Sequence, residues 1–260
     1  MHFMRQTDSL SFVSQYFNNG FHFFEPQLFN LKNIDGRAAC EFPILYYLTS
    51  ILYLILGKKL FLLKFIHLLI SFTGLFYVFR LAYLILKDYL YAILITLFLC
   101  TSTVYNFYAF NYLPDAPALG FVFMAWYYGF HFSLKGEKSA LIKAFVFFTL
   151  GSLIKVTYLI NPIAFIAYFI YLQLFQKQAI NALLHRKSIF KWGAINILLV
   201  ASWNAYMLHY NQLYDSHSFN TSILPIWDLN NYNVMLTWDY MMNFWYTSYF
   251  AHSSFHFLLV

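Results

Sequence analysis

Long apolar runs bracketed by charge constrain this chain more than any other feature. Phe65–Leu86 lies between Lys64 and Lys87, and Tyr89–Phe110 follows Asp88. Ala116–Leu134 lies between Asp115 and Lys135, Val156–Gln176 between Lys155 and Lys177, and Trp192–Tyr214 between Lys191 and Asp215. At about 1.5 Å of helical rise per residue, each of these five runs covers about 28–35 Å, the hydrocarbon thickness of a bilayer. A sixth run, Ala144–Ile154, is long enough only if its helix starts near Ser139. The expected fold is all-α: a polytopic transmembrane helix bundle of about six spanning helices, with an outer loop carrying short interfacial helices.

The chain is 61% hydrophobic and 10% charged, far from the roughly 25% charged residues of soluble domains. Its 32 Phe and 23 Tyr suit rings that anchor helices at lipid–water boundaries. Cys40 and Cys100 sit in unlike contexts and outline no disulfide framework. The net charge of +6 is informative by position rather than as a nucleic-acid signal. Arg80–Asp88, Lys135–Lys143 and Gln176–Lys191 together hold nine of the 16 Lys and Arg but only two of the 10 acids. Basic connections stay on the cytoplasmic side, so the other eight acids face away from the cytoplasm. No cleavable signal pattern is visible in Met1–Phe17, which is polar and broken. The expected location is a bacterial cytoplasmic membrane, or the endoplasmic reticulum membrane in a eukaryote.

Four regions follow. Residues 1–43 form an outer polar segment with turns at Asn18-Asn19-Gly20 and Asp35-Gly36, and Leu10, Val13 and Phe17 mark a surface helix. Residues 44–59 are apolar but too short to span, and Lys58-Lys59 closes them, so they are expected to be interfacial or re-entrant. Residues 60–214 form the bundle, and residues 215–260 an outer segment leading into an unfinished apolar run. Two crossings then bring Asp115 to the same face as Asp8 and Glu41.

Many chemistries are excluded. The chain has no Gly-rich phosphate loop, no G-x-G-x-x-G and no H-E-x-x-H. His252 and His256 share a helical spacing but lack a third ligand, and Asn220-Thr221-Ser222 has only the form of a glycosylation acceptor. What remains is a set of outward acids beside turns: Asp8 after Arg5-Gln6-Thr7, Glu41 before Phe42-Pro43, and Asp115 in Leu113-Pro114-Asp115-Ala116-Pro117. Asp8 and Asp115 both suit helix N-caps, and Glu41 a solvated interfacial charge. As a group, the three carboxylates can instead supply a general base and a cation site, with Lys155, Arg5 or Lys58 meeting an anionic group. A lipid phosphate carrying a sugar fits such a site, because phosphate leaves readily and only the acceptor hydroxyl needs a base. Lys, Arg or a divalent metal held by Asp115 and Glu41 would stabilise the departing charge.

The string Arg5-Gln6-Thr7-Asp8, Gly20, Pro26, Asp35-Gly36 and Glu41-Phe42-Pro43-Ile44-Leu45-Tyr46 resembles the first outer loop of C-type membrane glycosyltransferases. The nearest resemblance is to family 39, related to protein O-mannosyltransferases and the lipid A aminoarabinose transferase. Pro114-Asp115-Ala116-Pro117-Ala118-Leu119 resembles the second outer loop, and Leu153-Ile154-Lys155 the family's A-x-L-x-K helix end. The resemblance implies an inverting transfer from a polyprenyl-phosphate sugar to a glycolipid, glycan or protein at the extracytoplasmic face. In it, Asp8 corresponds to the catalytic base, Asp115 and Glu41 to supporting acids, and Lys155 to a group near the donor phosphate. Phe42-Pro43 departs from the family's Lys-Pro-Pro, so donor binding must rest on other cations. The family also has a helix before its first loop and several beyond residue 210, so a truncated product is expected. Two alternatives are a non-catalytic remnant of the family and a multi-pass transporter, although charges at helix ends and the lack of a repeat speak against transport.

Overall fold

Sixteen residues of the outer polar segment form the first helix, α1 (Phe3–Asn18). Ser9, Phe12, Val13 and Tyr16 are its buried face, at the helical spacing that places side chains on one stripe. That stripe is rotated from the expected Leu10, Val13 and Phe17: Val13 is buried, but Leu10 and Phe17 only flank the core. α1 packs on α2 (Ile44–Leu56), with the Phe12 and Tyr46 rings stacked at 5.5 Å. Gly57, at φ +77°, ends α2 where a side chain would be strained.

The computed structural model describes residues 3–29, 34–175 and 186–216. The chain divides into two compact units, Met1–Phe219 and Asn220–Val260, and all described residues belong to the first. His252, His256 and Asn220-Thr221-Ser222 lie outside the described residues. After α2 come α3 (Phe61–Leu86), α4 (Tyr89–Thr101), α5 (Thr103–Ala109), α6 (Asp115–Lys135), α7 (Lys138–Ile154), α8 (Ile160–Phe175) and α9 (Arg186–Leu213). A 3-10 turn, Val156–Leu159, joins α7 to α8, and another, Ile34–Gly36, lies in the loop before α2. The described residues contain no β-strand, only an isolated bridge between Gln27 and Arg37.

Local chemistry sets several ends. Lys87 turns left-handed after α3, and the Asp88 carboxylate accepts from the amides of Leu90 and Tyr91 to start α4. The apolar run expected as one helix from Tyr89 to Phe110 is instead bent by 65° at Ser102. Ser102 leaves the helical conformation, its hydroxyl accepts from the Tyr105 amide, and the Asn106 amide donates to the Cys100 carbonyl freed by the bend. The Tyr105 hydroxyl then donates to the Ser71 carbonyl and holds α5 against α3.

α6 is the hub, packed most extensively on α7 and α3. The α3–α6 crossing is made by glycine: a Cβ on Gly74 would fall 2.4 Å from the Gly120 Cα, and one on Gly120 would fall 2.7 Å from the Ile70 carbonyl oxygen. Small residues allow this approach and the dispersion contact that comes with it. On the opposite side, Gly151 of α7 lies against the Ala118 carbonyl of α6. An aromatic core of Phe132, Phe145, Phe148, Phe165 and Phe169 ties α6 and α7 to α8, and Ile189 of α9 joins it.

Phe65, Leu69, Phe72 and Phe76 form an exposed apolar stripe along α3, and Leu90, Leu94 and Phe98 stand exposed on α4. Apolar surface of this extent marks contact with a lipid or protein partner. Among the described residues, α3 is long and apolar enough to cross a bilayer, and α4 with α5 makes a second if the bent pair is one span. The remaining helices expected to span differ for physical reasons. α7 and α8 have 17 and 16 residues, while α6 and α9 carry His, Asn, Tyr and Trp among their apolar positions.

The glycine crossing predicts that Gly74→Leu drives α3 and α6 apart at a cost of about 1–3 kcal/mol. Gly74→Ala should fall between Gly74→Leu and the parent in thermal unfolding in detergent. Equal midpoints for all three proteins would show that the helices do not meet there.

Candidate functional site

The backbone of residues 39–42 is fixed from two sides. The Asn211 amide of α9 accepts from the Ala39 N–H at 2.7 Å and donates to the Ala39 carbonyl at 2.9 Å. The Trp203 indole donates to the Cys40 carbonyl at 3.1 Å. The Phe42 N–H donates to the Leu153 carbonyl at 3.1 Å, tying the loop to the C-terminal turn of α7. Arg37 completes the attachment: its guanidinium donates to the Tyr214 hydroxyl at 2.6 Å and lies 3.9 Å from the Glu25 carboxylate.

Glu41 leaves this anchored segment half-exposed. The Tyr46 hydroxyl donates to its Oε1 at 2.9 Å and lies 3.2 Å from the Ser9 hydroxyl of α1. Burial, and then the Glu41 charge, push the Tyr46 phenol well above its ordinary pKa, so it remains a donor. Ser9 is left with two acceptors for one proton, the Tyr46 oxygen and the Arg5 carbonyl at 3.0 Å. Through Ser9, α1 brings Asp8 beside Glu41. Asp8 is half-buried, and its carboxyl pKa is raised, first by burial and then by the Glu41 charge, while Arg5 pulls it down. Arg5 precedes Asp8 by three residues, which places both on one side of the helix.

Asp115 and Lys155 form the second half of the site. Lys155 Nζ lies 2.6 Å from Asp115 Oδ1, with the two side chains 27% and 19% exposed. This is a short, charge-assisted bond at a mostly enclosed position. Asp115 Oδ2 is buried with no partner in the described structure, which leaves one acceptor of that carboxylate free. The Tyr158 hydroxyl donates to the Asp115 carbonyl at 3.3 Å. Lys155 can reach across because it follows α7 in extended conformation, with φ −140°. His67 of α3, fully buried, lies near enough to feel the Asp115 charge.

The two halves share one end of the bundle. Leu153, which receives the Phe42 amide, is two residues from Lys155. Leu45 of α2, Ala118 of α6 and Ile154 of α7 pack together directly behind them. The Phe42–Leu153 bond thus places Glu41, with Asp8 and Arg5 beside it, at the end of the bundle that carries Asp115 and Lys155. Lys58 lies elsewhere: its ammonium donates to the Asn18 amide oxygen at 2.6 Å and sits 4.6 Å above the Phe17 ring. Asn18 is ten residues from Asp8 on α1, about 15 Å away along the axis.

Two sequence expectations are corrected. Asp8 is not a helix N-cap, because α1 starts at Phe3 and Asp8 lies in its second turn. Asp115 does not cap α6 either: Pro114 holds the N-cap position, Asp115 is the first helical residue, and its carboxylate is turned to Lys155. A metal held by Asp115 and Glu41 also lacks support. Among the described residues no three His, Cys, Asp or Glu side chains come together, and Asp115 Oδ1 already accepts from an ammonium.

Sequence reasoning missed Tyr46, Ser9, Asn211, Trp203 and His67. Tyr46 carried a signal, standing in the same short string as Glu41. Asn211 carried none, as one amide within an apolar run.

The sequence model of the family described as dolichyl-phosphate-mannose-protein mannosyltransferase matches residues 41–209. That is more than half of the chain, and the chain belongs to this family of integral membrane glycosyltransferases. No curated protein and no solved structure matches it. The matched segment starts at Glu41 and contains Asp115, Lys155, Trp203 and His67, whereas Asp8 and Arg5 precede it.

Asn211→Ala leaves the buried Ala39 N–H and carbonyl unpaired, at a cost of about 1–3 kcal/mol. Amide hydrogen exchange at residues 39–42 should accelerate in that variant, with a lower unfolding midpoint. Unchanged exchange would mean that α9 does not hold the loop.

Proposed function

We propose that this protein transfers a sugar from a polyprenyl-phosphate donor to an acceptor hydroxyl at the extracytoplasmic face of its membrane, with inversion at the anomeric carbon. The observation that supports this reading is that Asp8 and Glu41 share one end of the bundle with the Asp115–Lys155 pair. Membership of a glycosyltransferase family supports it independently. The bundle crosses the bilayer about six times, through α3, α4 with α5, and α6 to α9, with the basic connections on the cytoplasmic side.

Asp8 acts as general base. The acceptor oxygen attacks the anomeric carbon, the bond from that carbon to the phosphate oxygen breaks, and its electron pair leaves with the lipid phosphate. Asp8 takes the proton of the acceptor hydroxyl. Its raised pKa makes it a better proton acceptor than an ordinary surface aspartate. Glu41 supplies part of that shift and, held by Tyr46, orients the pair. Lys155 uses one of its three N–H groups on Asp115 and keeps two for the departing phosphate, with Arg5 as the second cation. The acceptor is a hydroxyl of a glycolipid, glycan or protein.

Transfer from polyprenyl-phosphate mannose, assayed in proteoliposomes, tests the assignment. Asp8→Asn should lower kcat/KM by about 10²–10⁴-fold, the usual contribution of a positioned base. Lys155→Met should act mainly by raising KM for the donor. Parent-level transfer by Asp8→Asn would remove Asp8 from the mechanism.

The electrostatics predict opposite shifts in the pH profile. Activity requires unprotonated Asp8, so kcat/KM rises with pH through its pKa. Glu41→Gln removes a raising charge and should move this acid limb to lower pH, while Arg5→Gln removes a lowering charge and should move it higher. Equal shifts in both variants would show that Asp8 is not the titrating base.

A further inference from the structure

A second charged cluster lies away from the acids, on α3, α6 and α7, where α3 and α7 both pack against α6. Arg80 of α3 places its guanidinium carbon 4.7 Å from the Tyr127 ring centroid and 5.9 Å from that of Tyr77. Lys143 of α7 holds its ammonium 5.4 Å from the Tyr128 ring. Between the two cations, the Tyr77 and Tyr128 hydroxyls share a 2.9 Å hydrogen bond, and Tyr128 stacks on Phe147 of α7 at 5.8 Å. Arg80 is seven residues from Lys87, Tyr128 seven from Lys135, and Lys143 five from Lys138. All three therefore stand about 8–11 Å inside the helix ends, in one layer. Tyr127 is twelve residues along α6 from Asp115, about 18 Å from the proposed catalytic end.

Neither cation has an ion-pair partner among the described residues. Cations within apolar helices are expensive unless paired or drawn to an interface, and ring contacts compensate for only part of that cost. The surrounding surface identifies what completes the site. Phe72, Phe76 and Arg80 are spaced by four on α3, so they share one face, and both rings are exposed toward the middle of the helix. Val146, exposed on α7, continues from Lys143 in the same direction. The doubly cationic cluster thus adjoins exposed apolar surface that runs along α3 and α7 toward the middle of the helices.

We propose that Arg80, Lys143 and the Tyr77–Tyr128 hydroxyl pair bind the phosphate of an anionic phospholipid in the leaflet opposite the catalytic face, with its acyl chains along Phe76, Phe72 and Val146. The site rests on the helices lying in a bilayer as proposed above, but not on any catalytic assignment. Two cations and a hydroxyl donor match a phosphodiester, and basic pockets between helices are recognised sites for such headgroups.

The test uses the full chain in nanodiscs of phosphatidylcholine and phosphatidylglycerol in a four-to-one ratio. The protein is then extracted in mild detergent, and its bound lipid is counted by native mass spectrometry. The parent should retain phosphatidylglycerol selectively, and R80Q/K143Q should lose about five- to thirtyfold of that selectivity at roughly fivefold per cation. Lys135→Gln with Lys138→Gln, outside the cluster, should leave it unchanged. Tyr77→Phe with Tyr128→Phe, which keeps both rings, should cause a smaller loss. Equal retention of the two lipids by the parent overturns the site whatever the variants do. So does unchanged selectivity in R80Q/K143Q, or displacement of the lipid by inorganic phosphate, which would mark a soluble-anion site. Because the readout is bound lipid, it is independent of sugar transfer: loss of activity in Asp8→Asn leaves it unaffected.

Discussion

The short extended segment from Ala39 to Phe42 ties the described unit together, since two helices distant in sequence hold its backbone. Asn211 and Trp203 of α9 take the groups of Ala39 and Cys40, and the end of α7 takes the Phe42 amide. A buried peptide group without a partner costs about 1–3 kcal/mol, so this segment has little freedom to slide or rotate. Glu41, within it, therefore emerges at one place and in one direction. From there Tyr46 passes the constraint to Ser9, and α1 places Asp8. A loop of otherwise irregular backbone thereby acquires the precision that catalytic groups need.

The second constraint is the close contact of α6 with α3 and α7. Gly74, Gly120 and Gly151 let backbones approach to distances that a side chain would forbid. This contact brings Asp115, at the start of α6, within reach of Lys155, just beyond α7. The pair is enclosed enough for its charges to interact strongly, yet neither partner is saturated: Lys155 keeps donors and Asp115 Oδ2 has no partner. A fully satisfied ion pair would be structural only. An unsaturated one at the same end as Asp8 has donors left for an anion, which is what supports the proposed role of its cation. The glycine contact and the anchored segment are independent features, joined by the bond from the Phe42 amide to the Leu153 carbonyl.

Much of this could be read from residues alone, and the exceptions have physical causes. Helical content and most helix positions followed from hydropathy. The bend at Ser102 did not, because a serine in an apolar run can equally bond back within an unbroken helix. Asp8 and Asp115 look like caps because Asp before an apolar run normally is one. α1 instead starts at Phe3, ahead of its buried face of Ser9, Phe12, Val13 and Tyr16, and Lys155 offered Asp115 a stronger partner than backbone amides. Lys58 looked available for an anion, but Asn18 and Phe17 take it up at the far end of α1.

Local properties were therefore settled by the amino-acid order: helices without strands among the described residues, apolar surfaces suited to lipid, charge confined mainly to helix ends, and the short strings that mark the glycosyltransferase family. Hydropathy, capping and turn preference act over a few residues, which is why they are legible in one dimension. Which acid meets which cation was decided only by tertiary structure. Lys155 and Asp115 are forty residues apart, and Asn211 lies 172 residues from the Ala39 peptide it holds. Contacts of that range depend on how glycine and aromatic surfaces pack in three dimensions, and no local pattern encodes them.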